Sequence, residues 1–351
     1  MAYSTISKPG LHFNTVTYAG NSGTNAITGV GFQPDWVWTK NRSSAQNHLL
    51  YDAVRGVGYY IYSNLSNAQG GNGTSALDSF DSDGFTLDGG DDSNVNGQNG
   101  VAWSWKAGNS AGSSNSDGSI TSTVSANTTA GFSICKYTGT GANATIGHGL
   151  GAAPKVVIIK NLSGTSQWLF GTTALGFNKF LEFNLKGAAQ TVSDRFNDTN
   201  PTSSVFSVGT STGVNNNGDN HIAYCFAEKK GYSKFGSYVG NANADGTFVY
   251  TGFKPAFFLC KNSSTSNTNW LIFDNKRAPQ NLVEDVLKAN LNSAGENGDL
   301  DVDFLSNGVK MRNSDGNGNE NNATMVYMAF AENPLVANVG ASGVPATARK
   351  L

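Results

Sequence analysis

The chain has 351 residues, room for two or three domains of ordinary size. Charged residues make up 14% and the net charge is -2, which excludes the basic footprint of a nucleic-acid binder and the polybasic face of a membrane-surface protein. Glycine occurs 43 times among abundant Asn, Ser and Thr, a composition of short strands joined by polar turns, and no apolar run of 18 residues is present to span a bilayer.

In chain order, residues 1–12 form an N-terminal arm. The start "MAYSTISKPGLHF" lacks the charged stretch followed by an apolar one that marks a secretory signal. Next comes "GFQPDWVWTKNRSSAQNHLLYD" (31–52), and it has two echoes: "GLGAAPKVVIIKNLSGTSQWLFG" (149–171) and "GFKPAFFLCKNSSTSNTNWLIFD" (252–274). Each carries a Lys-Asn pair, Lys40-Asn41, Lys160-Asn161 and Lys261-Asn262, with a proline six positions earlier at Pro34, Pro154 and Pro255. Tyr18, Tyr137 and Tyr238 each stand two residues before a glycine upstream. "NLSNA", "NLKGA" and "NLNSA" fall in step downstream, and "VAWSWKA", "IAYCFAE" and "MAFAE" close the three copies. So many landmarks in one order define an internal repeat. Its copies are repeat 1 (13–107), repeat 2 (132–230) and repeat 3 (231–333).

The segments after each proline, "DWVWT", "KVVII" and "AFFLC", are β-branched or aromatic and read as strands. Trp36 and Trp38 share a face by period two. The other two segments are apolar on both faces, as central strands are. Each proline, lacking an amide donor, belongs at the start of its strand. "NLVEDVLKANL" (281–291) has helical spacing, but its counterparts favour a strand at its end with a helical turn before it. Seven or eight strands per copy predict an all-β chain of three tandem β-sandwich domains of jelly-roll or lectin-like type. A propeller is the rival, but its blades repeat at roughly 40–50 residues. Residues 108–131 are Gly/Ser/Thr-rich and read as a linker or exposed arm, and 334–351 as a C-terminal tail that docks on a neighbour or stays loose.

Chemistry-bearing residues are sparse. Cys135, Cys225 and Cys260 lie in apolar strands and read as buried thiols. His48 stands where the other copies carry Trp168 and Trp270, so packing is its expected role; His12, His148 and His221 show no partner pattern. The run "DSFDSDGFTLDGGDD" holds Asp78, Asp81, Asp83, Asp88, Asp91 and Asp92, and "SDGNGNENN" holds Asp315, Asn317 and Asn319. Asp81, Asp83 and Asp315 are the candidates for calcium, although the calcium-loop pattern is incomplete and turns explain the same residues. Two carboxylates flanking a cleft, as glycoside hydrolysis requires, are not reproduced in any copy. Trp36, Trp38, Trp103, Trp105, Trp168 and Trp270 alternate along strands and are expected in the core, so a sugar site would use loop residues that the sequence does not single out.

The phrases "ITGVGFQPDWVWTKNRSSAQNHLLYDAVRG", "LDSFDSDGFTL", "VAWSWKAG", "DGSITSTVSANTTAGFSI" and the late "VPATAR" resemble a family of proteins common in marine bacteriophages. The resemblance covers nearly the whole chain, with repeat 3 departing from the commonest phrasing. It implies a virion structural protein, a tail fibre, capsid fibre or decoration protein with lectin-like sandwich domains, located on the particle surface or tail. It brings no catalytic residues and no cofactor. The expectation is therefore a non-enzymatic protein acting in assembly or host attachment, whose partners are other virion proteins and, by analogy with phage appendages, further copies of itself as a trimer. The alternatives are a lectin for a host-surface glycan and, behind it, a glycan depolymerase. Nucleic acid and membrane insertion are not expected.

Overall fold

The computed structural model describes residues 4–71, 76–90, 92–296, 298 and 300–334. Repeat 1 contains β1 (Phe13–Ala19), β2 (Asn25–Thr28), β3 (Trp36–Asn41), β4 (Leu49–Asp52), β5 (Tyr59–Tyr62), β6 (Gly70–Gly71), β7 (Leu77–Asp81), β8 (Gly84–Leu87) and β9 (Asn99–Trp105). They form a large sheet, β1-β9-β3-β4-β5-β6, and a small one, β2-β8-β7. Between the repeats lie β10 (Ser113–Asn115) and β11 (Ser122–Asn127). Repeat 2 continues with β12 (Phe132–Thr138), β13 (Ala144–Gly147), β14 (Val156–Asn161), β15 (Leu169–Thr172), β16 (Lys179–Glu182), β17 (Gln190–Thr191), β18 (Val205–Val208) and β19 (Asn220–Phe226). Repeat 3 supplies β20 (Ser233–Val239), β21 (Phe248–Tyr250), β22 (Phe253–Asn262), β23 (Trp270–Asp274), β24 (Leu287–Lys288), β25 (Val302–Leu305), β26 (Gly308–Met311) and β27 (Thr324–Pro334). The large sheets of repeats 2 and 3 run β12-β19-β14-β15-β16-β17 and β20-β27-β22-β23-β24, with small sheets β13-β18 and β21-β26-β25. The chain is all-β, and in each repeat the last strand pairs antiparallel with both the first and the post-proline strand.

Period two decides where the side chains go. Val37, Leu49, Tyr51 and Ala102 point from the large sheet of repeat 1 to its own small sheet, where Ile27, Phe85 and Leu87 complete one apolar cluster. Val157, Ile159, Phe206 and Val208 do the same in repeat 2, and Phe258, Cys260, Val309 and Met311 in repeat 3. The alternate residues point the other way, into a fourth cluster common to the three repeats. Trp36, Trp103 and Trp105 meet Val156, Ile158, Tyr224 and Phe226 there, with Phe257, Leu259, Met328 and Phe330. Rings touch across every boundary: Trp36–Tyr224 at 4.5 Å, Phe13–Phe330 at 5.2 Å and Phe170–Trp270 at 4.8 Å between centroids. All six tryptophans are at most 2% exposed and lie in this shared core.

Three tandem sandwiches would each close an interior of their own and meet only by their surfaces, and the shared cluster corrects that part of the expectation. A large sheet apolar on both faces needs a cover on both, and one small sheet supplies only one. Three further expectations change, and the N-terminal arm gains a position. The supposed linker 108–131 carries β10 and β11, which extend the large sheet of repeat 2, and Ile120 and Val124 are buried in that repeat's core. The N-terminal arm is docked: Ile6 enters the shared core and a 3-10 turn at Pro9–Leu11 packs on β27. Residues 281–291 carry the expected strand toward their end, β24, but the helical turn before it is absent; Val283 and Val286 make isolated bridges there, facing Val302 and Glu296. Pro255 lies inside β22 at a register shift, a bulge that tolerates the missing amide, whereas Pro34 and Pro154 precede their strands. The tail expectation falls outside the described residues beyond position 334.

The boundaries between repeats follow one pattern and close on themselves. Five positions after the asparagine of each "NL" phrase, a backbone amide donates to the carbonyl that follows the Lys-Asn pair of the next repeat. Gln69 N donates to Leu162 O at 3.0 Å, Ala189 N to Ser263 O at 2.8 Å, and Gly295 N to Arg42 O at 3.0 Å. Repeat 1 thus contacts 2, 2 contacts 3, and 3 returns to 1. This is the head-to-tail arrangement that, between separate subunits, closes into a ring. Trp105 sits among rings from repeats 1 and 3, and Trp105→Ala is expected to lower stability by about 3–5 kcal/mol. The check is the midpoint of urea unfolding.

Candidate functional site

The residues that recur in every copy are where chemistry was to be sought first. Lys40, Lys160 and Lys261 are fully buried. Each ammonium donates to the carbonyl of its own asparagine, at 2.6 Å to Asn41 O, 2.7 Å to Asn161 O and 2.6 Å to Asn262 O. Lys40 also reaches Asn292 O of repeat 3 at 3.3 Å, and Lys160 reaches Ser66 O of repeat 1 at 3.2 Å. The asparagine side chains cap the loop that follows: Asn41 Oδ1 accepts from Ser43 N and Ser44 N, Asn161 Oδ1 from Ser163 N and Gly164 N, and Asn262 Oδ1 from Ser264 N and Thr265 N. Burial lowers all three lysines from the ordinary 10.5 to about 8. In repeats 1 and 2 the motif ties a turn and a seam, whereas Lys261 donates to Thr268 Oγ1 at 2.6 Å within its own repeat.

His48 is likewise spent. Trp38 Nε1 donates to its Nδ1 at 2.9 Å, so the proton sits on Nε2, which donates to Lys288 O of repeat 3 at 3.1 Å. Burial, with Lys40 nearby, holds it neutral well below the usual imidazole range. Its counterparts make the same bond to equivalent carbonyls: Trp168 Nε1 to Tyr62 O at 2.8 Å and Trp270 Nε1 to Glu182 O at 3.2 Å. His12 abuts Tyr232, His148 bonds Leu150 N and Thr202 O, and His221 stacks on Tyr137 at 5.2 Å. The cysteines are free, buried thiols, and burial pushes Cys260 up to about 12.

Sequence reasoning missed two buried polar networks. Asp52 Oδ2 takes Arg55 Nε at 2.5 Å and the hydroxyl of Tyr224, in repeat 2, at 2.8 Å. Asp274 Oδ2 takes Arg277 Nε at 2.6 Å and Trp103 Nε1, in repeat 1, at 3.0 Å; Arg277 also lies 5.7 Å over the Trp103 ring. At the third boundary the equivalents are Thr172, Leu175 and Met328, all uncharged. The three positions change together, acid and arginine present where a donor faces them and absent where a thioether does. That internal covariation was the signal available in the sequence.

The calcium candidates are engaged in turns. Asp81 accepts from Thr86 Oγ1, Asp83 from Gly29 N and Gly31 N, and Asp315 caps a short helix (Gly316–Asn319) through Asn317 N. Asp91 lies outside the described residues. Among the described residues no group of three His, Cys, Asp or Glu converges as metal ligands would. Three surface grooves carry one carboxylate between them, Glu228, which is ion-paired with Lys234 at 2.8 Å. Hydrolysis of a glycosidic bond needs two.

A family model described as Domain of unknown function (DUF7483) matches residues 8–334, and the chain belongs to that family. No curated protein and no solved structure gives a match.

Removing one partner of a buried pair costs about 3–5 kcal/mol, whereas replacing the whole network by apolar groups is often neutral. Asp52→Ala is therefore expected to lower the urea midpoint sharply. The triple change Asp52→Thr, Arg55→Leu, Tyr224→Met, which copies the third boundary, is expected to recover most of it. The lysines set a pH response. Their folded pKa lies below the unfolded one, so between about 8 and 10.5 the folded chain has shed protons that the unfolded chain keeps, and stability climbs with pH. Buried Cys260 and tyrosines such as Tyr137 and Tyr238, all raised, oppose this from about pH 9 upward. The unfolding midpoint should rise from pH 7.5 to 9, and the triple variant Lys40→Met, Lys160→Met, Lys261→Met should flatten that rise.

Proposed function

We propose that the chain is a non-enzymatic bacteriophage virion protein, a tail-fibre, capsid-fibre or decoration component acting in assembly or host attachment. On this reading it consists of three β-sandwich domains, at 13–107, 132–230 and 231–333, located on the particle surface or tail. One observation carries the proposal: the lysine that recurs in every repeat, Lys40, Lys160 and Lys261, and the Asp–Arg pairs of repeats 1 and 3 are buried, and Lys40, Lys160 and both Asp–Arg pairs reach across to a neighbouring repeat. Such a chain is organised as a rigid body whose outer surface does the work. The threefold arrangement that phage appendages build from three subunits has a counterpart here within one chain, and low charge with polar, uncharged loops suits a particle surface. The resemblance of the repeat phrases to marine phage proteins points the same way. In the described lining of the groove that holds Glu228 no second carboxylate stands beside it, so that groove lends the rival depolymerase reading no support. In purified particles encoding this chain, mass spectrometry should find it at a fixed stoichiometry, and labelled antibody should decorate the capsid or tail. Recovery only from infected cells, with none in particles, would overturn the proposal.

A further inference from the structure

We infer that the chain beyond Pro334 closes the open edge of the small sheet in repeat 3, running antiparallel to β21 with Ala337 opposite Tyr250 and Val339 opposite Phe248. In that sheet β21 is the terminal strand and pairs with β26 on one side. Thr247 O accepts from Met311 N and Thr251 N donates to Asn307 O, each at 3.0 Å. The alternate residues Phe248 and Tyr250 therefore turn their backbone N–H and C=O groups to the other side. Among the described residues nothing pairs with them there. Their rings are also open to water, Phe248 at 42% and Tyr250 at 54% exposure. An open strand edge carrying apolar side chains is a template for a further strand.

Repeat 2 fills the same position with its own chain. Val249 lies opposite Val309 as Ile146 lies opposite Phe206, so Thr145 is the counterpart of Phe248 and Gly147 that of Tyr250. The Thr145 carbonyl accepts from Ile120 N at 3.0 Å, and Ile120 bridges Ile146. That stretch then runs on into β11, which pairs with β12. The chain leading into repeat 2 thus closes its small-sheet edge. Repeat 3 has no such lead-in, because β19 ends at Phe226 and β20 begins at Ser233. In repeat 1, where Ile27 lies opposite Phe85, the counterparts are Ala26 and Thr28, whose small side chains leave little apolar surface to cover.

The chain that follows repeat 3 starts where it is needed. β27 ends at Pro334, opposite Phe253, at the turn that leads from β21 into β22. Carrying that register on by three residues, about 10 Å of extended chain, brings Ala337 opposite Tyr250, and Val339 then falls opposite Phe248. Residues 335–351 supply ample length. Period two sets Leu335, Ala337 and Val339 on the face beside the two rings, and Val336, Asn338 and Gly340 on the other. No charged residue occurs between 335 and 348, so none is carried onto the sheet; Arg349 and Lys350 come later. β27 thereby continues from the large sheet onto the small one across the corner of the sandwich.

Two measurements on the full chain test this. Hydrogen exchange should find the amides of Phe248 and Tyr250 protected, and Ala337→Pro, which removes the amide facing the Tyr250 carbonyl, should speed their exchange at least about tenfold. The pair Tyr250→Cys with Ala337→Cys puts two thiols on directly opposed residues, about 5.5 Å apart at Cα and within disulfide range. Oxidation in dilute solution should close an intramolecular bond, and faster than in the off-register pair Tyr250→Cys with Asn338→Cys. The native cysteines are buried and do not compete. Unprotected amides, exchange unchanged by Ala337→Pro, no bond, or an off-register pair that closes as fast would each overturn the inference. A bond formed between two chains would overturn it in favour of a neighbouring copy as the source of the strand.

Discussion

The structure depends on the burial of both faces of each large sheet. A strand such as Trp36–Asn41 is buried along its whole length, Val37 toward one side and Trp36 and Trp38 toward the other. Water cannot be left on either side of such a sheet without exposing hundreds of square ångströms of apolar surface, more than a soluble surface ordinarily carries as one patch. One side is closed within the repeat by the small sheet. The other can be closed only by a second apolar face, and three repeats in one chain provide three such faces. The shared core and the head-to-tail backbone bonds that surround it follow from this single constraint.

Within that common plan the boundaries differ in their polar content, and the seam between repeats 1 and 2 carries the buried Asp52–Arg55–Tyr224 network. Repeats 2 and 3 are joined by a short connection at Lys229–Tyr232, and their seam is uncharged at the Thr172, Leu175 and Met328 positions. The seam from repeat 3 back to repeat 1 joins segments more than 150 residues apart. It carries the buried Asp274–Arg277–Trp103 network, the Arg42–Asp285 ion pair at 3.0 Å and the Ser63 Oγ bond to Ala289 O at 2.6 Å. Buried charges contribute little net stability but penalise misalignment heavily, so they are suited to fixing the register of the two seams that carry them.

Much of this was legible in the sequence. Repeats, post-proline strands and the buried tryptophans follow from landmark spacing and period two. The second apolar face was visible in "KVVII" and "AFFLC", but periodicity does not say whether an apolar face meets a small sheet or another repeat. Serine and threonine hid β10 and β11, because an edge strand needs only a few inward residues, here Ile120 and Val124 nearby. The helical spacing of 281–291 was overridden by Val302 and Glu296 across from it. Tyr250 was unreadable as a surface residue until Val249 was paired with Val309, since "TFVYTG" is an ordinary strand phrase. The buried acids were hidden because Asp52 and Asp274 look like turn residues beside their arginines.

If the shared core is what holds the repeats, the chain unfolds as one body. Differential scanning calorimetry of the full chain measures this directly, by comparing the calorimetric enthalpy with the van't Hoff enthalpy. A single transition in which the two agree for the whole chain is the expected result. Three transitions, or a van't Hoff enthalpy near one third of the calorimetric value, would contradict the account, because each repeat would then be melting on its own core.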